Sequence, residues 1–156
     1  MLRLVRSFFL ILNIAKQFTL GKHERLKSRK LIEQLFSEGK SFSIHPFKIF
    51  YLADENIFSA LQKNSLHAKK IILQCGVGVS SRNFKKAVDR NRIKRLMREA
   101  YRLQKIFLHD SLKEKRLQLV LFIIYTGKEL PEYKMVSDKI DLILHRIAKE
   151  FQKNDS

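Results

Sequence analysis

Between Lys86 and Arg102 the chain reads KAVDRNRIKRLMREAYR, with seven basic residues and two acidic ones. Only a helix sorts this stretch. At about 100° per residue, Arg90, Asn91, Lys94, Arg95, Arg98, Tyr101 and Arg102 fall on one side. Ile93, Leu96, Met97, Ala100, Leu103 and Phe107 fall on the other. Arg90, Lys94, Arg98 and Arg102 make one unbroken i,i+4 row, and Asn91 and Arg95 begin a second beside it. Like charges at that spacing repel by about 0.2–0.5 kcal/mol per pair, so the row brings no internal benefit. A fold containing this helix must bury its apolar side and offer its cationic side to something negative outside the chain.

The charge balance points the same way. From Arg82 to Lys105 there are ten basic and two acidic residues, and the 156-residue chain carries a net charge of +17. Such a surplus favours polyanionic partners: nucleic acid, or an anionic membrane surface. Hydrophobic residues make up 45% of the chain, enough for one domain with its own core and well clear of disordered compositions. The single cysteine, Cys75, cannot form an internal disulfide, which suits a reducing cytoplasm. It lies in an apolar run and reads as a small buried side chain.

The first seventeen residues, MLRLVRSFFLILNIAKQ, place Arg3 and Arg6 ahead of the mostly apolar run Ser7–Ala15. That run is too short to span a bilayer as a helix. Asn13 stands where a signal cleavage site prefers a small residue. Residues 1–17 therefore read as an apolar extension outside the fold, or as a start placed too early, with a weak secretory signal as the alternative. Residues 18–153 read as a single α+β domain.

Along that domain, Ser28 is a good helix cap and Gly39 a good stop, with Leu31, Ile32, Leu35 and Phe36 as the apolar stripe between them. SFSIHPFKIFYLA reads as extended, bent at Pro46, and places Lys48 and Phe50 on the face opposite Phe47, Ile49 and Tyr51. DENIFSALQKNSLHAKK is polar and aperiodic, a loop between strands. IILQCGVGVS and QLVLFIIYT read as buried strands on either side of the basic helix. A last helix, about Glu132 to Gln152, shows Val136, Ile140, Ile143, Leu144, Ile147 and Phe151 on one side, with mixed charges elsewhere. The order is α-β-β-β-α-β-α: an α+β sandwich, one central sheet with helices packed on it.

A rigid ladder of guanidinium and ammonium groups matches phosphates spaced along a nucleic-acid backbone. Asn91 adds a group able to reach a base edge or a ribose hydroxyl. Phe36, and Phe50 beside Lys48, offer flat faces of the kind on which unpaired bases stack. No catalytic or metal-binding constellation accompanies them. His23, His45, His67, His109 and His145 are scattered without metal-ligand spacing, Cys75 and Ser80 have no base nearby in sequence, and there is no Gly-rich phosphate loop. Asp89 and Glu99 lie on the basic helix, where Glu99 suits local ion pairs better than a metal.

RNRIKRLMRE, Arg90 to Glu99, closely resembles the signature of the bacterial ribonuclease P protein family. The resemblance extends back through GVGVSSRNFKKAVD and RLKSRKLIEQLFSEGKSF, and covers about residues 18 to 150. It implies the same α-β-β-β-α-β-α sandwich, with a left-handed β-α-β crossover that departs from the usual hand. It also implies a ribonucleoprotein endonuclease of the cytoplasm, whose catalytic RNA removes the 5′ leader of precursor tRNA. Magnesium would be held by RNA rather than by protein ligands, and neither a stable protein partner nor a membrane is implied. Matched to the family, Arg82, Lys85, Lys86, Arg90, Asn91, Arg92, Lys94, Arg95 and Arg98 would contact RNA, and Phe36, Lys48 and Phe50 would line the leader cleft. Two positions depart from the family pattern. Ile32 stands where a second aromatic is usual, and Ser81 with Arg82 where a Lys-Lys pair is usual. Two other classes stay open on the residues themselves: a plain RNA-binding module, such as a ribosomal protein, and a secreted cationic membrane-active protein.

Overall fold

Ser28 opens the first helix as its short hydroxyl side chain predicts, its Oγ accepting a hydrogen bond from the Leu31 amide at 3.4 Å. The computed structural model describes residues 18–59 and 70–153, and in it this helix (α1) covers Arg29–Glu38. Gly39 ends it, its amide bonded to the Leu35 carbonyl. A Cβ on Gly39 would stand 2.3 Å from that same carbonyl oxygen, so a glycine is needed for the strand to begin at once.

Strands β1 (Lys40–Ile44) and β2 (Phe47–Asp54) form an antiparallel hairpin that turns at Pro46. Then come β3 (Leu73–Val79), α2 (Ala87–Gln104), α3 (Ile106–Glu114), β4 (Gln118–Tyr125) and α4 (Tyr133–Lys153). The sheet order is β1-β2-β4-β3, with β2–β4 antiparallel and β3–β4 parallel. A parallel pair needs a long crossover, and α2 with α3 provides it. This is the α+β sandwich expected, with one α-helix more among the described residues. The extra helix, α3, restarts at Lys105, where the backbone stays helical and the apolar periodicity runs on unbroken. Phe107 therefore belongs to α3 and not to the basic helix.

The alternation in β2 is real. Phe47, Ile49 and Tyr51 join Leu119, Leu121 and Ile123 of β4 in the main core, against Ile93, Met97 and Ala100 of α2 and Ile140, Ile143 and Leu144 of α4. On the opposite face a smaller cluster gathers Leu31 and Leu35 of α1, Phe58 and Val120, with Ile32, Phe50 and Phe122 packed at its margin. Phe58 departs from the reading of its segment as a polar, aperiodic loop: it is fully buried, and its amide donates to Gln118 Oε1 at 2.8 Å. The rest of that segment, 60–69, and the extension 1–17 lie outside the described residues.

The helical wheel also misplaces Tyr101. Grouped there with the cations, it is only 1% exposed. The cause is the segment before α1, which is fastened across the end of α2. Arg102 donates to the Phe18 carbonyl and Lys105 to the Thr19 carbonyl, both at 2.6 Å. Lys105 also pairs with Glu24. The Leu26 amide donates to the Cys75 carbonyl at 3.1 Å, so this segment borders β3 as well. Leu103, assigned to the apolar side, is 42% exposed.

Candidate nucleic-acid interface

α2 starts after a tight turn, and that turn is held from two sides. Asn83 Nδ2 donates to the carbonyls of Thr126 and Gly127 at 2.9 and 3.0 Å, tying the turn to the end of β4. Arg90 folds back, donating to the carbonyls of Phe84 at 2.8 Å and Lys85 at 2.6 Å. Arg90 is thus partly a structural residue, and only half exposed. At the other end of the row, Arg102 is engaged by both carboxylate oxygens of Glu99 and by the Phe18 carbonyl. Its hydrogen bonds hold the Glu99 carboxyl below the ordinary carboxylate range. The uniform ladder expected from sequence is therefore clamped at both ends.

Between the clamps the cations are uncommitted. Asn91, Arg92, Arg95 and Arg98 are exposed and Lys94 half exposed, and none makes a side-chain hydrogen bond or ion pair among the described residues. Arg82, Lys85 and Lys86 are exposed in the turn leading into the helix, so their charges extend the patch past its N-terminus. That end also carries the positive pole of the helix dipole, which favours anions. Ser81 is exposed in the same turn.

On the opposite face of the sheet, Phe36 and Phe50 meet edge to face at 4.7 Å between ring centroids. The Lys48 ammonium lies 5.1 Å from the Phe50 centroid. The three expected cleft residues are thus together. Phe36 is 44% exposed, while Phe50 is half buried. The structure adds Phe122, which pairs with Phe50 across β2–β4 and lies 5.5 Å from Phe36. Its ring covers β3 because Gly76 and Gly78 have no side chains there: a Cβ would come within 2.6 and 3.0 Å of the ring. Alternate glycines in a strand mark such a close approach, and GVG was the available signal. Ile32 packs at the margin of the small cluster and gives this face no further ring.

No group of three His, Cys, Asp or Glu side chains placed to hold a metal occurs among the described residues. Cys75 is buried, and burial pushes its thiol well above the ordinary range despite the nearby Arg98 and Lys105 charges. A thiol so protonated is a poor nucleophile. His145 stacks on Phe107 at 4.3 Å and His109 sits beside Asp110, so these rings serve local packing and pairing. No helix among the described residues is long and apolar enough to cross a membrane.

The family model described as Ribonuclease P matches residues 20–148. The chain belongs to the ribonuclease P protein family. The ribonuclease P protein component of Porphyromonas gingivalis is 37% identical over 132 residues, covering 84% of this chain and 88% of that one. That of Chlorobium phaeobacteroides is 34% identical over 138 residues, covering 83% and 88%. Two solved structures share the fold. The ribonuclease P protein of Staphylococcus aureus superposes with a TM-score of 0.58 at 18% identity, covering 81% of this chain and 95% of that one. The Thermotoga maritima protein gives 0.57 at 23% identity, covering 79% and 96%. As a ribonuclease P protein component the chain is part of a tRNA-processing enzyme and has an RNA partner.

Proposed function

We propose that this ribonuclease P protein binds the catalytic RNA through the cations of α2 and its leading turn, and holds the single-stranded 5′ leader of precursor tRNA against the aromatic cleft. The observation that carries the reading is the run of uncommitted side chains Asn91, Arg92, Lys94, Arg95 and Arg98 on an otherwise well-bonded helix. Phosphates would replace condensed counterions there, and released ions make such binding favourable and salt-dependent. The exposed Phe36 ring, with Phe50 behind it and Lys48 beside it, supplies a stacking face and a phosphate contact for unpaired nucleotides.

Magnesium-dependent hydrolysis is assigned to the RNA subunit. Metal ions held by RNA and substrate would activate the attacking water, and the protein would position the leader and neutralise charge. The complex would work in the cytoplasm, without a stable protein partner. The test is affinity of the reconstituted complex for precursor tRNA against mature tRNA. The proposal expects tighter binding of the precursor. Equal affinity for the two would favour a plain RNA-binding module.

A further inference from the structure

α2 packs on one face of the sheet and the aromatic cleft lies on the other, so using both at once requires a fixed relation between them. Ile93, Met97 and Ala100 seat α2 in the main core, all well inside the helix. The turn ahead of it, with the exposed Arg82, Lys85 and Lys86, reaches that core through the buried ring of Phe84. Apolar burial is non-directional, so it holds the turn down without fixing where its cations point. Direction has to come from hydrogen bonds.

Asn83, between Arg82 and Phe84, supplies them: its amide nitrogen donates to the carbonyls of Thr126 and Gly127 at 2.9 and 3.0 Å. The two acceptors are themselves held. Thr126 donates its amide at 2.9 Å and its hydroxyl at 3.0 Å to the Pro46 carbonyl. Gly127 lies against the Tyr125 hydroxyl, where a Cβ would stand 2.3 Å away, and that hydroxyl donates to the Glu129 carbonyl. Pro46 leads directly into β2, which carries Lys48 and Phe50 of the cleft, and Tyr125 ends the strand that carries Phe122. A line of directional bonds therefore runs from Asn83 through Thr126 to Pro46, joining the cationic turn to the strands of the cleft.

We propose that Asn83 is a positioning residue for leader recognition, setting the distance and angle between the cationic turn and the cleft. The inference rests on the function proposed above, in which the turn sits on the catalytic RNA while the cleft receives the leader. In this role Asn83 contacts no RNA and acts through Thr126 and Pro46. A recognition site has to be held within about 0.5 Å of its working geometry, and two bonds to adjacent carbonyls give that kind of support. Asparagine suits the place because its amide carries two N–H donors. An aspartate of the same shape has none, and would turn a carboxylate toward two carbonyl oxygens.

The test uses the complex reconstituted with catalytic RNA and compares the parent with Asn83→Ala, Asn83→Asp and Thr126→Val. Thr126→Val keeps the shape and the amide bond but removes the hydroxyl bond to Pro46. Three quantities are read: the preference for precursor over mature tRNA, the salt dependence of protein binding to the catalytic RNA, and the melting of each free protein. Asn83→Ala and Asn83→Asp should lower the preference about fivefold, as loss of about one net hydrogen bond does, and Thr126→Val should lower it less. The slope of log affinity against log salt should stay at the parent value, because no phosphate contact is lost. A flatter slope in Asn83→Ala would make Asn83 a direct RNA contact and overturn the proposal. Equal weakening toward both tRNAs would make its role one of general stability, which overturns it as well. If Asn83→Ala melts below the assay temperature, Thr126→Val decides, and an unchanged preference in that variant counts against the proposal. A parent with no preference for the precursor would sink the leader reading and this inference with it, whereas a parent preference that all three variants keep would sink this inference alone.

Discussion

Lys105, 4% exposed at the junction of α2 and α3, pairs its ammonium with the carboxylate of Glu24, a residue 81 positions earlier in the chain. The pair fastens the segment before α1 to the end of the basic helix. Glu24 is itself braced, accepting from the Gly21 amide at 2.6 Å. Removing one partner of a buried pair leaves the other charge uncompensated, at a cost of about 3–5 kcal/mol. Glu24 is partly exposed, so Glu24→Gln should lie near the low end, about 3 kcal/mol, by urea denaturation. Adding Lys105→Met should restore most of that loss. A Glu24→Gln protein as stable as the parent would mean that the pair does not hold this segment.

Arg98 and Arg90 sit in the same helical row but should respond differently. Arg98 is exposed and uncommitted, so Arg98→Ala should leave stability within about 0.5 kcal/mol. It should lower the steepness of log affinity for the catalytic RNA against log salt by roughly 0.7–0.9, the value for one lost phosphate contact. Arg90→Ala should weaken assembly and also destabilise the fold by about 1 kcal/mol, because it removes the bonds to Phe84 and Lys85. Paired melting curves and salt titrations separate the two. Equal stability losses for both variants would put Arg98 in the same structural class as Arg90.

Phe50 is packed against Phe36 but only half buried. If it supports a stacked leader base, Phe50→Ala should cost about 1–3 kcal/mol of precursor affinity and leave mature tRNA binding nearly unchanged. The fold should lose less than the roughly 3–5 kcal/mol typical of a fully buried phenylalanine. Equal loss of affinity for both tRNAs, with a large drop in melting temperature, would make Phe50 a core residue only.

Alkaline pH should loosen the fold in stages. The folded-state pKa of Cys75 is raised above its ordinary 9.0, and those of Tyr51, Tyr101 and Tyr125 above 10.0. Each group keeps its proton longer folded than unfolded, so the stability it contributes is complete below the unfolded value and falls as pH rises past it. Decline should begin near pH 9 with the thiol and steepen above pH 10 with the tyrosines. Cys75→Ala should remove the first stage, read as the difference between the two proteins' urea stabilities from pH 8 to 10. Identical pH profiles for both proteins would contradict the assignment to Cys75.

What was legible in the sequence was local. Ser28 and Gly39 bracket α1, the alternation of β2 sorts Phe50 from Ile49, and the segregation of α2 identifies its core side, because each depends on residues a few positions apart. Phe36 and Phe50 lie on different elements, and it was the resemblance to the family that grouped them with Lys48 as a cleft. Tyr101, Arg102 and Lys105 were not legible, since their partners at Phe18, Thr19 and Glu24 arrive from a distant segment with no periodicity of its own. The folding back of Arg90 depends on carbonyls in an irregular turn. Phe122 was hidden in a uniformly apolar strand, and the glycines of β3 mark a close approach without saying which ring makes it. The restart at Lys105 left no mark because α3 continues the apolar spacing of α2.

The central claim is that this protein assists an RNA catalyst without carrying the chemistry. The most direct measurement is cleavage of precursor tRNA at low magnesium by three preparations: the host's catalytic RNA, the rigorously RNA-free protein, and the two together. The account predicts leader removal by the pair, none by the protein, and cleavage by the RNA only when magnesium is raised well above that level. Leader removal by RNA-free protein, or no gain from adding the protein to the RNA, would contradict it.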